Sequence, residues 1–188
     1  LEGEIIAMTM DLLHGEAAEG GDAVGMATTG GTGSIMHAIL AYREHGRNEH
    51  GIERPNIIKP ETAHAAFDKA AHLFDVELRR APVDAETTKV RPEVVADLVD
   101  DSTVAIIGSA CNYGYGTVDP IAELGALARE RGIGLHVDGC LGGFILPWGE
   151  QLGYPVPPFD FRVPGVTSIS ADTHKYAYAP KGTSLLLH

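Results

Sequence analysis

A lysine that follows a short apolar strand is the first candidate for chemistry in this sequence. Lys175 comes after a predicted strand at 167–170 and is flanked by Tyr176 and Tyr178. A lysine is usually a solvated surface charge, but the neighbouring aromatic rings favour partial burial here. Because burial lowers the pKa of an amine, we expect Lys175 to act as a nucleophile toward a carbonyl group.

A carboxylate stands at the end of another predicted strand. Asp138 closes the segment 134–138 and is followed by Gly139. Ligands of parallel α/β sheets bind at the carboxyl ends of the strands, so Asp138 is suited to hold a cation, a sugar hydroxyl or a protonated ring nitrogen. The alternative is a cap for the segment that follows. His136 faces the same side of the strand, but a pair of ligands without a third is a weak metal signature.

The third candidate is a Gly/Thr/Ser loop at 28–34 that opens a helix. Free backbone N–H groups and the positive end of the helix dipole suit a phosphate there. We expect the hydroxyls of Thr32 and Ser34 to add hydrogen bonds. The loop is not a P-loop, because no Gly-Lys-Ser/Thr follows it. The alternative is a flexible turn in which Thr32 caps the helix.

Together these three features match what pyridoxal 5'-phosphate requires. Lys175 would form the Schiff base, Asp138 would keep the pyridine nitrogen protonated, and the loop 28–34 would hold the phosphate. His64, which opens a helix after a strand, would stack on the ring. Their order along the chain is that of the aspartate-aminotransferase-like fold class. The alternative is an α/β domain without a cofactor.

The elements that must position these residues alternate along the chain. Short connections between strands and helices predict a mostly parallel sheet covered by helices. The apolar run 103–108 is typical of a strand buried on both faces. Asp119 is expected to cap a helix with Pro120 at its first position. The predicted strands are 56–59, 76–79, 103–108, 134–138, 167–170 and 182–187, and the predicted helices are 5–14, 35–46, 63–74, 92–99 and 120–131.

Several stretches resemble the sphingosine-1-phosphate lyase family, which belongs to the group II decarboxylase-like pyridoxal phosphate enzymes. The resemblance extends from about residue 25 onward and is most specific around the lysine. The stretches that carry it are TTGGT at 28–32, AHAAFDKA at 63–70, HVDGCLGGF at 136–144, and 159–182, which begins with FDFR, contains SISADTHKY and ends with APKG.

The resemblance implies roles for individual residues. The implied catalytic residues are Lys175, Asp138 and His64. The implied cofactor-binding residues are Gly31, Thr32, His64, Asn112, Asp138, His174 and Lys175; no metal is implied. Two departures stand out: Gly33 replaces an acidic residue of the family, and the loop 111–116 has Gly and Tyr where the family often has Pro and His. The second departure leaves the substrate less well specified than the cofactor.

The implied reaction is a retro-aldol cleavage in sphingolipid metabolism. A phosphorylated long-chain base such as sphingosine 1-phosphate would give a fatty aldehyde and phosphoethanolamine. Two alternatives stay open: a pyridoxal phosphate-dependent group II amino-acid decarboxylase, and an inactive cofactor-binding fragment. The family also implies a homodimer with active sites shared between subunits.

Length and composition limit the classes of protein to which this chain can belong. The chain has 188 residues, 44% of them hydrophobic, and a net charge of −12 from 14 Lys+Arg and 26 Asp+Glu. An acidic chain is a poor nucleic-acid binder, and its apolar runs are too short for a membrane helix. Two cysteines suit a reducing cytoplasm, while a membrane anchor in a longer parent would lie outside this chain.

The sequence does not start with Met and stops within a predicted strand. We therefore expect residues 1–188 to be a pyridoxal phosphate-binding large domain of fold type I, truncated at both ends and without the small C-terminal domain.

Overall fold

The computed structural model describes residues 1–21 and 23–188, which form a seven-stranded sheet flanked by helices. The strands are β1 (Gly25–Thr28), β2 (Asn56–Pro60), β3 (Glu77–Ala81), β4 (Thr103–Ser109), β5 (Gly134–Asp138), β6 (Ser168–Ala171) and β7 (Ser184–Leu187). The helices are α1 (Glu2–Leu12), α2 (Gly31–His50), α3 (Ala66–Leu73), α4 (Pro92–Leu98), α5 (Ile121–Arg131) and α6 (Leu146–Gln151), and a 3₁₀ turn covers Gly15–Ala17. No helix in the described part of the chain has both the length and the apolar character to cross a bilayer.

The sheet order is β1-β7-β6-β5-β4-β2-β3. The strands β3, β2, β4, β5 and β6 run parallel, whereas β7 and β1 add antiparallel pairs at one side. Every residue of β4 is buried, as its apolar run predicted. The expected α/β class with a mostly parallel sheet is therefore confirmed.

Two elements escaped sequence reasoning. The strand β1 has only four residues, and its interior positions are exposed, so it carries no apolar run; it is held by antiparallel pairing with β7. The helix α6 has only six residues and contains Gly149, a poor helix former, while Pro147 lies in its first turn, where proline is tolerated. The predicted helix 63–74 starts later, at Ala66, after a turn over residues 60–63 that is closed by a bond from the Ala63 N–H to the Pro60 carbonyl.

The core lies on both faces of the sheet, and β5 shows the division. Leu135 and Val137 pack into the cluster with α4 and α5, while His136 faces the side covered by α2 and α3, where its ring meets Phe67. Strand alternation explains this split, because successive side chains point to opposite faces. The α2 face of β5 thus carries polar residues in an otherwise apolar layer.

Asp119 is not the cap of α5 that the sequence predicted. The cap position belongs to Pro120. The Asp119 carboxylate accepts the N–H of Ser109 at 2.8 Å and the N–H of Val90 at 3.3 Å. It is fully buried, so it ties the end of β4 to the segment before α4.

We expect Asp119 to make stability depend on pH. Burial raises its pKa from 3.8 to about 6. The folded protein therefore binds a proton more tightly than the unfolded chain, so this contribution is complete below pH 3.8 and is lost as pH rises through about 6. The loss is on the order of 3 kcal/mol. Chemical denaturation of the full-length protein and of Asp119→Asn across this window measures it, and parallel slopes for the two proteins would contradict it.

Candidate active site

A cavity of about 580 Å³ opens at the carboxyl ends of the parallel strands, beside the start of α2. Parallel strands bring the residues that follow them to one edge of the sheet. The cavity is lined by all seven predicted site residues: Gly31, Thr32, His64, Asn112, Asp138, His174 and Lys175. The structure therefore brings together groups that lie up to 144 positions apart in the sequence.

The loop before α2 forms one end of the cavity. Gly30 holds the cap position with φ of 129°, a conformation that L side chains rarely adopt. A Cβ atom on Gly31 would stand 2.7 Å from the Asp172 carboxylate and 2.9 Å from the sulfur of Cys140. Both glycines are thus required, and they leave the first backbone N–H groups of α2 facing the cavity.

Ser34 does not face the cavity, contrary to the expectation that its hydroxyl would contact a phosphate. It is fully buried, and its Oγ lies 2.7 Å from the hydroxyl of Thr28 and 2.8 Å from that of Ser184. These bonds fasten the first turn of α2 to β7. Thr32 lines the cavity and is not the helix cap, because Gly30 takes that position.

Lys175 lies on the turn after β6, and its Nζ is 3.0 Å from Oδ2 of Asp172. Burial opposes the ammonium charge, but the hydrogen bond and negative charge of Asp172 outweigh it and raise the pKa of Lys175. The expected lowering of its pKa is therefore wrong for this structure. Burial alone would lower this pKa, but the carboxylate three residues earlier acts in the opposite direction.

Asp172 lines the cavity and is a candidate site residue that the sequence did not predict. It is 2% exposed, and its Oδ1 has no hydrogen-bond partner among residues 1–21 and 23–188. Oδ2 also lies 3.6 Å from Nε2 of His174. The opposite ring nitrogen of His174, Nδ1, donates to the Thr183 carbonyl at 2.6 Å, which fixes the ring. An acid three residues before a lysine in a tight turn was the available sequence signal.

Asp138 ends β5 at the cavity wall. Its Oδ1 accepts the N–H of Cys140 at 3.1 Å, so it also caps the local turn, as the alternative interpretation suggested. Burial raises the pKa of Asp138, while the bond from Cys140 and the charges of Lys175 and His64 act in the opposite direction. A positively charged ligand atom in the cavity would favour the ionised carboxylate.

His64 and Asn112 form the opposite wall. Nδ1 of His64 accepts the N–H of Ala66 at 3.0 Å, so a neutral ring carries its proton on Nε2. The ring meets Tyr113 edge to face at a centroid distance of 5.3 Å. The Asn112 amide is used within its own loop, donating to the Thr117 hydroxyl at 2.6 Å and accepting the Tyr115 N–H at 2.9 Å. Asn112 therefore shapes the wall of the cavity.

Two cations and two thiols complete the lining. Lys69 of α3 and Lys181 add positive charge, and Cys111 and Cys140 are free cysteines. The described residues hold no group of three His, Cys, Asp or Glu side chains suited to a metal ion. The cavity thus combines positive charge, a helix N-terminus and a buried carboxylate, an arrangement that fits a phosphorylated ligand with a basic ring nitrogen.

Known proteins match this chain along its whole length. The model of the family described as "Pyridoxal-dependent decarboxylase conserved domain" matches residues 1–188. The chain is 48% identical to a sphingosine-1-phosphate lyase of Oryza sativa subsp. japonica and 50% identical to one of Arabidopsis thaliana. In both cases the match covers all of this chain and about a third of the relative, 35% and 34%.

Two solved structures match the fold of this chain. A Burkholderia pseudomallei sphingosine-1-phosphate lyase superposes with a TM-score of 0.97 at 59% identity, covering 99% of this chain and 43% of that one. A Lactobacillus brevis glutamate decarboxylase matches with a TM-score of 0.84 at 25% identity, covering 99% of this chain and 44% of the other. The resemblance predicted from the sequence and the expected fold type are confirmed.

Proposed function

Because this chain belongs to the pyridoxal-dependent decarboxylase family, we propose that its cavity binds pyridoxal 5'-phosphate and serves a carbon–carbon lyase. The substrate would be a phosphorylated long-chain amino alcohol such as sphingosine 1-phosphate, and the products a fatty aldehyde and phosphoethanolamine. The observation that carries this choice over amino-acid decarboxylation is the higher identity to a sphingosine-1-phosphate lyase, 59%, than to a glutamate decarboxylase, 25%.

The residues present fit this cofactor. The side-chain-free face of Gly31 and the N-terminus of α2 provide a cradle for a phosphate. Lys175 supplies an amine, and Asp138 supplies a buried carboxylate on the same cavity. The Oδ1 of Asp172 is buried beside Gly31 without a partner among the described residues, and because a carboxylate oxygen only accepts, it needs a hydrogen-bond donor and not a phosphate oxygen.

The proposed chemistry divides among the residues of this chain. When bound, pyridoxal phosphate supplies an aldehyde that captures amines and a ring that accepts the electrons of the broken bond. Lys175 would hold the cofactor through its amine and would move a proton at Nζ. The Lys175 ammonium must first lose a proton, and its ion pair with Oδ2 of Asp172, 3.0 Å away, opposes that loss. Asp138 holds the proton at the ring nitrogen, and His64 covers the ring.

The substrate side of the site is defined by charge. A phosphorylated substrate brings a second dianion into a cavity that already holds the cofactor phosphate. Lys69 and Lys181 line the cavity and supply compensating positive charge. The proposal therefore places the substrate phosphate toward these two lysines and the long alkyl chain toward the cavity mouth.

The same proposal extends to the whole protein. We infer that residues 1–188 are part of a cofactor-binding domain and that the full-length enzyme is a homodimer. Tyr113 lines the cavity and exposes 68% of its surface, which supports a subunit contact near the mouth. The free thiols of Cys111 and Cys140 suit a cytoplasmic location.

An aldehyde-release assay tests the proposed function. The full-length protein, supplied with pyridoxal phosphate and a phosphorylated long-chain base, is expected to release fatty aldehyde and phosphoethanolamine in equal amounts. The same preparation is offered amino acids while CO₂ is measured. Release of CO₂ from an amino acid without aldehyde release would assign the cavity to a decarboxylase instead.

His64 gives a graded test of cofactor binding. His64→Ala removes the proposed stacking surface, and we expect the affinity for pyridoxal phosphate to fall by roughly three- to tenfold, as aromatic pairs contribute about 0.5–1.5 kcal/mol. His64→Phe keeps a planar ring and is expected to retain most of the affinity. Equilibrium titration followed by cofactor absorbance measures both, and equal losses in the two variants would argue against stacking.

A further inference from the structure

A chain of polar side chains, buried except at its outer end, joins Asp138 to the half-buried Tyr42 of α2. In the parallel pair β5–β6, His136 lies opposite Ser168 and Asp138 lies opposite Ser170, so all four face the α2 side. The hydroxyl of Tyr42 is 2.6 Å from Oγ of Ser168, which is 2.7 Å from Nδ1 of His136. Nε2 of His136 is 3.2 Å from Oγ of Ser170, which is 3.5 Å from Oδ1 of Asp138. We call these five residues the relay.

The charge state of His136 limits how protons are arranged along the relay. Its ring is 0% exposed, and burial lowers its pKa to about 3. A neutral imidazole has one N–H donor and one acceptor nitrogen. Each nitrogen faces a serine hydroxyl, so the tautomer of His136 sets the direction of its bonds to Ser168 and Ser170.

The end of the relay at Asp138 selects that direction. A carboxylate only accepts, so the bond between Ser170 and Asp138 needs the Ser170 proton. The Cys140 thiol already donates to Oγ of Ser170 at 3.2 Å. The Ser170 oxygen then accepts a second bond, which is the one from Nε2–H of His136. Nδ1 accepts from Ser168, whose oxygen accepts from Tyr42, and each hydroxyl in the relay donates once.

We propose that His136 is a positioning residue whose Nε2–H turns the Ser170 hydroxyl toward Asp138 and thereby stabilises the ionised carboxylate. The inference rests on the proposed function, because that function assigns Asp138 to the cofactor ring nitrogen. Removing the relay leaves Asp138 in a buried site with one fewer donor. The fraction of ring nitrogen that is protonated falls accordingly.

Packing alone does not account for a histidine at this position. The ring contacts Phe67 at a centroid distance of 5.8 Å within an apolar layer, where an aliphatic side chain would avoid the cost of burying polar atoms. The titratable groups that face Asp138 are Cys140 on the following turn, Lys175 after β6 and His64 before α3. Asp119 and Cys111 also sense its charge.

Nuclear magnetic resonance tests the relay without any substitution at Asp138. The full-length cofactor-loaded enzyme is labelled with ¹⁵N-histidine, and the His136 signals are assigned by their loss in His136→Gln. A neutral ring protonated on Nε2 throughout the pH range of the folded enzyme is the expected result. Protonation on Nδ1 would reverse the direction of the relay and overturn the proposal.

Matched serine variants test its consequence. Ser170→Ala removes the bond to Asp138. Ser109 lies on the neighbouring strand, opposite Asp138, and its buried hydroxyl has no hydrogen-bond partner within the described residues. Ser109→Ala therefore removes a buried hydroxyl without removing a bond to Asp138. With ring-¹⁵N pyridoxal phosphate, Ser170→Ala is expected to lower the fraction of protonated ring nitrogen and to weaken cofactor affinity roughly tenfold. Ser109→Ala is expected to leave both unchanged, and equal behaviour of the two variants would overturn the proposal.

Variants of His136 separate hydrogen bonding from packing. Gln keeps an N–H donor near the position of Nε2, whereas Leu fills the space without one. We expect His136→Gln to retain more protonated ring nitrogen than His136→Leu, and the opposite order would contradict the relay. If the wild-type enzyme binds no pyridoxal phosphate, the proposed function fails, while the tautomer of His136 in the cofactor-free protein still decides the relay.

Discussion

Replacing Lys175 by alanine is expected to abolish covalent attachment of the cofactor and to lower kcat by roughly 10²- to 10⁴-fold, the range of a positioned nucleophile and proton carrier. Lys175 lines the cavity, and its Nζ is 3.0 Å from Asp172. Since alanine keeps the turn after β6 intact, the fold is expected to survive. Mass spectrometry after borohydride reduction measures the attachment, and aldehyde release measures the turnover.

Lys69→Ala is the matched control for this experiment. Lys69 lines the same cavity but belongs to α3, on the side where the proposal places the substrate phosphate. The variant is expected to keep the covalent attachment and to raise KM for a phosphorylated substrate. Undiminished attachment in Lys175→Ala would remove Lys175 from the mechanism, whatever the result for Lys69→Ala.

Replacing Asp138 by asparagine is the second change with a large expected effect. Asparagine can still accept the Cys140 N–H bond but carries no charge to hold a proton on the ring nitrogen. We expect kcat to fall by roughly 10²- to 10³-fold, as when one electrostatic group of a preorganised site is lost. Thermal unfolding of the same samples checks that the fold is retained.

Asp119→Asn is the control for Asp138→Asn, since Asp119 is a second fully buried aspartate, hydrogen-bonded to the end of β4. It changes stability and its pH dependence and senses the charge of Asp138, but it makes no hydrogen bond to a group placed in the mechanism. Turnover is expected to stay near the wild-type value in the folded fraction. Wild-type turnover in Asp138→Asn would contradict the role of Asp138 at the ring nitrogen.

The fold was predictable where local pattern and tertiary contacts agree. The apolar run of β4 is buried along its whole length, and the helix ending at Arg131 stops at Gly132 in the left-handed conformation, as a glycine stop predicts. The strand β1 was not predictable, because pairing with β7, more than 150 positions later, makes it a strand. The same long-range pairing draws Ser34 away from the cavity and onto Ser184.

The candidate site was predictable as a set of residues but not in its electrostatics. Motif stretches and strand ends selected all seven predicted residues that line the cavity. The pKa of Lys175 is raised, not lowered, because Asp172 folds back onto it. The sequence singled out His136 only as a weak metal candidate. Its contacts with Ser168 and Ser170 depend on the register of β5 against β6, which no local pattern reveals.

Site mapping of the reduced cofactor tests the central claim most directly. The full-length protein is loaded with pyridoxal phosphate, reduced with borohydride and digested, and the modified peptide is sequenced by mass spectrometry. The account predicts one modified lysine, Lys175, in the turn after β6. Modification confined to Lys69 or Lys181, which line the same cavity, or no modification at all, would contradict it.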